Sequence, residues 1–350
     1  MTLSSLQLGL AILGGLLLVA MALHAAWTAR KNQPRQATPR APVDPGAAPF
    51  QVGAGIEPGL NTAAFDVASF PLPVQEKRPS MDALIDVIAP IALEGLVSGD
   101  AALAAMPVTR RAGSKPFAIE GLNEVSQRWE VPVAGARYVL FQAGVQLANR
   151  LGALNEIEYS EFVVKTQAFC EAIGGTPDFP EMREAVARAR ELDHFAGDHD
   201  AQLGFVVRAR NAAWSPGYVQ QNAARLDFIA GAIPGRMVVP ASVAGLPPVL
   251  GLSFDVQAAM ADDPTQSAIR EVAISLDVPQ VDRGERAFER MRAVALALAD
   301  SMDGVVTDDN GLPLATEAME VIGAELEHLY DTLDQRDLSA GSALARRLFS

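Results

Sequence analysis

The first pattern along the chain is an unbroken apolar one. From Leu6 to Trp27 the sequence reads LQLGLAILGGLLLVAMALHAAW, with no charged residue and with Gln7 and His24 as its strongly polar interruptions. At about 1.5 Å per helical residue this run reaches roughly 30 Å, the thickness of a bilayer hydrocarbon core. It predicts a transmembrane helix over residues 6–27, behind a short segment 1–5. A secretory signal would place basic residues ahead of a shorter apolar run. Here the cations Arg30, Lys31, Arg35 and Arg40 all follow it. Because Lys and Arg collect on the cytoplasmic side, the expected topology is an external N-terminus and a cytoplasmic bulk.

The periodicity then stops. Residues 28–80 carry prolines at 34, 39, 42, 45, 49, 58, 71, 73 and 79 with little apolar repeat, so they cannot bury enough surface to offset their ordering entropy. They read as a disordered linker with an r.m.s. span on the order of 40 Å. Beyond Met81 strand and helix patterns alternate to the C-terminus. In residues 201–350, Ala201–Arg210 reads as a strand, Ser215-Pro216 opens a helix to about Ile229, and strands fit Arg236–Pro240, Pro248–Gln257 and Arg270–Val278. Glu285–Met302 keeps Phe288, Met291, Ala295, Leu298 and Met302 on one stripe, and a last helix starts at Thr316. The set predicts an α+β fold, a mainly antiparallel sheet with helices on one face. Residues 81–200 have a similar rhythm: strands Ile85–Glu94, Phe117–Leu122, Trp129–Val133 and Tyr138–Leu147, then a helix from an Asn155/Glu158 capping box, then a connecting helix over Pro180–Phe195. Tyr138–Leu147 plus its helix matches Arg270–Val278 plus Glu285–Met302 in order, which makes a diverged duplication one reading of this upstream region.

Charge and chemistry narrow the function classes. The net charge of −14 argues against a chain-wide nucleic-acid footprint, and Cys170 is a single cysteine, with no partner for an intramolecular disulfide. There is no Gly-rich phosphate loop, no GxSxG and no HExxH, so no small-molecule substrate, cofactor or metal is expected and the chain does not read as an enzyme. The remaining catalytic candidate is Asp193, His194, Asp198, His199 and Asp200, read as one solvated polar loop, with a metal hydrolase as its chemical alternative. Asp308-Asp309-Asn310-Gly311 lacks the spacing of a calcium loop and reads as a tight turn. Cys170, beside Phe169 on an apolar stripe, reads as a buried inert thiol, and His328, among Glu325, Glu327 and Asp331, as a surface histidine.

Specific words in the second half carry a resemblance. AQLGFVV, ARLDFIAG (Ala224–Gly231), PVLGLSFDV (Pro248–Val256), AISLDVPQV (Ala273–Val281) and FERMRAVALALADSMDGVVTDDNGLPL (Phe288–Leu314) follow one another in an order that resembles the C-terminal FtsZ-binding domain of the ZipA family of cell division proteins. That family shares the whole-chain plan of one N-terminal span, a proline-rich linker and a cytoplasmic domain. The resemblance implies a non-catalytic role: a membrane anchor at the division site of the bacterial inner membrane, with a periplasmic N-terminus. Its module holds the FtsZ C-terminal tail on the open face of the sheet and so tethers FtsZ filaments during septum assembly. A membrane-tethered scaffold of the same fold with a different peptide partner is the alternative.

Period-two reading assigns Phe205, Val207, Leu250, Leu252, Ile274 and Leu276 to the covered face. The open, partner-binding face is then expected to carry Gln202, Gly204, Val206, Met237, Val239, Ser253, Asp255, Ala273 and Ser275. This face is more polar than the family's apolar groove, so three readings stand: a weaker groove, a contribution from the upstream region, or a different ligand. Charge sharpens the point. Through Arg40 the chain holds four cations and no anions, leaving 24 basic against 42 acidic residues, a net −18, in residues 41–350. Since the family's peptide is mixed and often acidic, such a module gives it no electrostatic steering.

Overall fold

The computed structural model describes residues 34–37, 81–261 and 267–350. The predicted span 6–27 and almost all of the predicted linker lie outside them. Among the described residues no helix is long and apolar enough to cross a membrane. Chain contacts divide the described residues into two compact units. A downstream unit holds residues 34–37, Gly204–Ser275 and Met291–Leu314; an upstream unit holds residues 81–203, Leu276–Arg290 and Ala315–Ser350.

The main elements of the first half are β1 (Asp86–Leu93), α1 (Gly99–Ala105), β2 (Arg111–Ala112), β3 (Lys115–Asn123), β4 (Arg137–Gln146), α2 (Glu156–Ile173), β5 (Gly175–Pro177) and α3 (Met182–His199). Their sheet runs β2-β3-β4-β1-β5, with two-residue strands added at its margins. The second half holds β6 (Gln202–Ala209), α4 (Pro216–Ala224), β7 (Arg236–Val239), β8 (Leu250–Ser253), β9 (Glu271–Asp277), α5 (Ala287–Met302), β10 (Gly304–Thr307), α6 (Thr316–Asp334) and α7 (Ala343–Leu348). Here the sheet runs β7-β8-β9-β6-β10, with Ile229–Ala230 pairing outside β7.

Strand for strand, the two orders are the same. In each sheet the second to fourth strands follow one another, the first strand joins beyond the fourth, and the fifth closes the far edge. The agreement extends to single residues. Gly175 opens β5 opposite Leu93, and Gly304 opens β10 opposite Ala209. Each follows a left-handed residue that ends a helix, Gly174 (φ 69°) and Asp303 (φ 55°). A Cβ at Gly175 would come 2.8 Å from Ile91 Cγ2, and one at Gly304 would come 2.8 Å from Val207 Cγ1. Both glycines are needed because the fifth strand crosses so close to the first. Ser98 and Ser215 cap the helices after the first strand of each set.

Alternation sets the cores. In the first sheet Val87, Ala89, Ile91, Phe117, Ile119, Phe141, Ala143 and Val145 are buried, and the antiparallel register stacks Val87, Val145 and Phe117 in one row. In the second, Phe205, Val207, Met237, Val239, Leu250, Leu252, Val272 and Ile274 are buried, as are Met291, Ala295, Leu298 and Met302 on α5. The Asn155 capping box is formed: Asn155 Oδ1 accepts from Glu158 N (3.0 Å) and Glu158 Oε2 accepts from Asn155 N (3.2 Å).

Three element readings change. The helix from Pro216 stops at Ala224, because Asp227 turns left-handed (φ 66°) and Ile229–Ala230 joins the sheet. The strand expected to reach Gln257 stops at Ser253, since Asp255 Oδ1 accepts from Gln257 N (2.8 Å) and caps a short helix, Val256–Ala259. The polar run around His194 is not a loop: α3 continues through His199. The C-terminal residues close the upstream unit. Arg347 pairs with Asp86, which is 2% exposed, at 2.5 Å, and Gln280 Nε2 donates to Phe349 O at 2.7 Å.

Candidate functional site

The candidate site is the side of the second sheet that does not face its core. Register decides its membership, since directly paired residues share a face. Ile229 pairs with Val238, Val238 with Gly251, and Gly251 with Ser275, making one row across four strands. The next row is Arg236, Ser253 and Ala273. Ile229 is 54% exposed, Val238 and Ala273 are half-buried, and Arg236 and Ser275 are exposed. Gly251 lies close against its neighbour: a Cβ there would stand 2.6 Å from Ser275 Oγ, so Ser275 fills the space a side chain would need at this position.

On β6 the same face is roofed by the turn Asp308–Gly311. Asp308 O accepts from Gly311 N at 3.0 Å and Asp308 Oδ1 from Leu312 N at 2.8 Å, a tight turn as the sequence suggested. It brings Asp309 Oδ1 to 3.1 Å from where a Cβ on Gly204 would stand. Val206, next along the strand, is only 9% exposed. Arg208 pairs with Glu271 at 3.4 Å, while its Nε is buried with no hydrogen-bond partner among the described residues. The face thus carries small and aliphatic side chains, with Arg236 on one side and an Arg208–Glu271 pair on the other.

The residues expected there distribute unevenly. Gln202 and Gly204 are exposed on β6, Ser253, Ala273 and Ser275 are on the open face, and Val206 is on it but covered. Asp255 is exposed beyond the end of β8 as a helix cap. Met237 and Val239 are corrected: they are 6% and 2% exposed on the core face, paired with Leu252 and Leu250. Arg236-Met237-Val238-Val239 has three apolar residues in succession, so alternation within β7 gives no phase, and only its register with β8 does. Arg236, Val238, Ile229 and Gly251 were therefore missed. A glycine in the middle of a strand was the one available signal.

The catalytic candidates do not converge. His194 Nδ1 lies 2.9 Å from Asp198 Oδ2 with both side chains exposed, while His199 Nδ1 contacts Phe195 O at 2.7 Å and its ring stacks on Phe195. One helical turn supplies both contacts. Among the described residues no group of three or more His, Cys, Asp or Glu is placed to hold a metal. Cys170 is buried, and burial pushes its thiol up to about 11, away from the reactive thiolate.

This part of the chain is an α+β module built on an antiparallel sheet with one partly exposed face. Residues 258–325, which include β9, α5, β10 and the first half of α6, match the family described as ZipA, C-terminal FtsZ-binding domain. Over that stretch the chain is ZipA-like, a likeness to a family of division proteins that bind FtsZ rather than to an enzyme family. No curated protein matches the chain.

Proposed function

We propose that this chain anchors the bacterial division machinery to the inner membrane by holding the C-terminal tail of FtsZ on the open face of the β7-β8-β9-β6-β10 sheet. The observation that carries the reading is the ZipA-like match across β9, α5, β10 and α6. The exposed face around Gly251 gives it a physical site, with Val238, Ile229 and Ala273 as apolar contacts and Arg236 as a donor. The apolar run Leu6–Trp27 and the cations after it support the anchor, with the N-terminus periplasmic and the module cytoplasmic at the division site. Residues 201–350 serve as the FtsZ-binding domain and 81–200 as a second α+β region. Clustering of many anchored copies on one filament then raises a modest single-site affinity.

The test is titration of a labelled FtsZ C-terminal peptide into the full chain in lipid nanodiscs. Val238→Asp sets a carboxylate against the apolar contact, and at about 1–3 kcal/mol for an unpaired buried polar group the Kd should rise roughly 10- to 100-fold. Absence of binding by the wild-type chain at several hundred micromolar peptide overturns the reading.

A specific observation favours a second reading, a tethered scaffold of the same fold that takes another peptide. The repeated strand order supports descent of the upstream half from a duplicated copy, and its outward face also carries aliphatic side chains, beside Glu120 and Gln142. Leu122 pairs with Leu140 (41% exposed), and Ile88, Pro90 and Ala118 share that side. Met81 already lies over Gly144 there. If the full chain does not bind the FtsZ peptide but retains another peptide from a cytoplasmic peptide library, and that capture is lost in Leu140→Asp and kept in Val238→Asp, this second reading holds; capture lost only in Val238→Asp overturns it.

A further inference from the structure

Residues 34–37 follow closely on the apolar run, and they are built into the downstream unit. Trp214 is fully buried and exchanges both backbone hydrogen bonds with Ile269, 2.8 Å each. On the other side of Trp214 lies Arg35, in a parallel bridge: Arg35 N donates to Ala213 O at 2.7 Å and Ser215 N donates to Arg35 O at 2.9 Å. Arg35 thereby adds a third strand to the Trp214–Ile269 pair, the geometry of strand addition, in which main-chain bonds hold a segment and a side chain fixes its register. That side chain is ion-paired, with Arg35 Nη2 at 2.8 Å from Asp303 Oδ2, which also accepts from Asn211 Nδ2 at 3.2 Å. The socket is made of fixed parts: Ser215 caps α4, Trp214 Nε1 donates to Met302 O at 2.7 Å, and Asp303 is the left-handed residue that follows α5.

We propose that the slot formed by Ala213–Ser215 and Asp303 is a docking site for the chain's own residues Pro34–Ala37, and that docking holds the downstream unit at the membrane end of the chain. The membrane half of the proposal rests on the reading of Leu6–Trp27 as a span. Eight residue steps separate Trp27 from Arg35, at most about 29 Å when fully extended. A free linker over residues 28–80 would give a wider search, with an r.m.s. span on the order of 40 Å. Docking therefore replaces a long tether for this unit by a short one, and the proline-rich sequence 38–80 begins only after the docked strand. Arg35, one of the four cations after the apolar run, is then committed to Asp303 rather than to lipid phosphate.

The experiment uses the full chain in nanodiscs of phosphatidylethanolamine and phosphatidylglycerol. Hydrogen exchange at the Arg35 and Ser215 amides should be at least about tenfold slower than in unstructured chain. Arg35→Pro removes the donor to Ala213, and Asp303→Asn removes the charge with a residue that tolerates the left-handed conformation. Each should speed exchange at Ser215 about tenfold while Trp214 and Ile269 stay protected. Energy transfer from a dye on Ala244→Cys to acceptor lipids should fall in both variants. Exchange of Arg35 at the unstructured rate in the wild-type chain overturns the docking. Unchanged energy transfer in both variants overturns its effect on reach. Failure of the wild-type chain to float with vesicles removes the span instead, and the exchange result then judges the docking alone.

Discussion

At the scale of single residues, two buried polar groups, Lys115 and Glu158, are held by dedicated partners. Lys115 is fully buried, and its ammonium donates to Asn149 Oδ1 (2.8 Å), Ser114 Oγ (3.0 Å) and Gly152 O (2.5 Å). Burial lowers its pKa, opposed by the nearby carboxylates of Glu158 and Asp193. Glu158 is the clearer titration case. Burial works against its charge, but hydrogen bonds from Ser114 Oγ (2.7 Å), Ser114 N (2.8 Å) and Asn155 N (3.2 Å) prevail, and its carboxyl sits below the ordinary value of 4.5. A depressed carboxyl pKa adds stability above the unfolded value and loses it as pH falls through the folded one. Glu158→Gln should therefore cost about 1–3 kcal/mol at pH 7, as for a hydrogen-bonded charge, in urea unfolding. The gap between variant and wild type should close as pH falls below about 4.5. The sequence announced this residue through its spacing from Asn155, but not its bonds to Ser114, which lies 44 positions away.

At the scale of elements, the two sheets should respond alike where their geometry is alike. Gly175→Ala and Gly304→Ala each force a methyl to 2.8 Å from a branched side chain of the first strand, Ile91 or Val207. Overpacking of that kind costs about 1–3 kcal/mol, so similar losses are expected from calorimetry of the two variants. A tolerated Gly175→Ala beside a damaging Gly304→Ala would mean that the correspondence ends at topology. Strand positions and the long helices were largely readable from period two and period 3.6, because each had one buried face. β7 was not, since an unbroken apolar run carries no phase, and this moved Met237 and Val239 from the open face to the core. The helix through His194 and His199 was misread because its polar composition resembles a loop, although Val186, Ala189, Leu192, Phe195 and Ala196 keep a helical stripe to within a turn of its end.

At the scale of the whole molecule, residues 34–37 and the C-terminal residues 343–350 are both part of the fold. Ala343–Leu348 forms a short C-terminal helix that carries Arg346 and Arg347 in its last turn. Leu348 and Phe349 are buried, and Arg347 neutralises Asp86 on β1, 261 positions earlier. Arg347→Ala would leave a carboxylate that is 2% exposed without its counter-charge, and breaking such a pair costs about 3–5 kcal/mol. We expect a drop of that size in unfolding free energy, with partial recovery in Arg347→Ala combined with Asp86→Ala. Arg35, in the stretch the sequence predicted as linker, is hydrogen-bonded beside Trp214 through Ala213 and Ser215.

By itself the sequence determined what depends on neighbours along the chain: the apolar run and the cations that follow it, the α+β class, the capping box, the tight turn at Asp308, and the family words between Ala273 and Leu314. The tertiary structure alone decided what depends on pairing across the chain. It showed that two sheets share one strand order, that Val238 and Arg236 rather than Met237 and Val239 lie on the open face, that the Asp308–Gly311 turn roofs β6, and that Arg35 and Arg347 close onto distant acids. The physical reason is register. Periodicity tells that a strand has two faces, but which face meets water is fixed only when the hydrogen-bonded partner strand sets the phase.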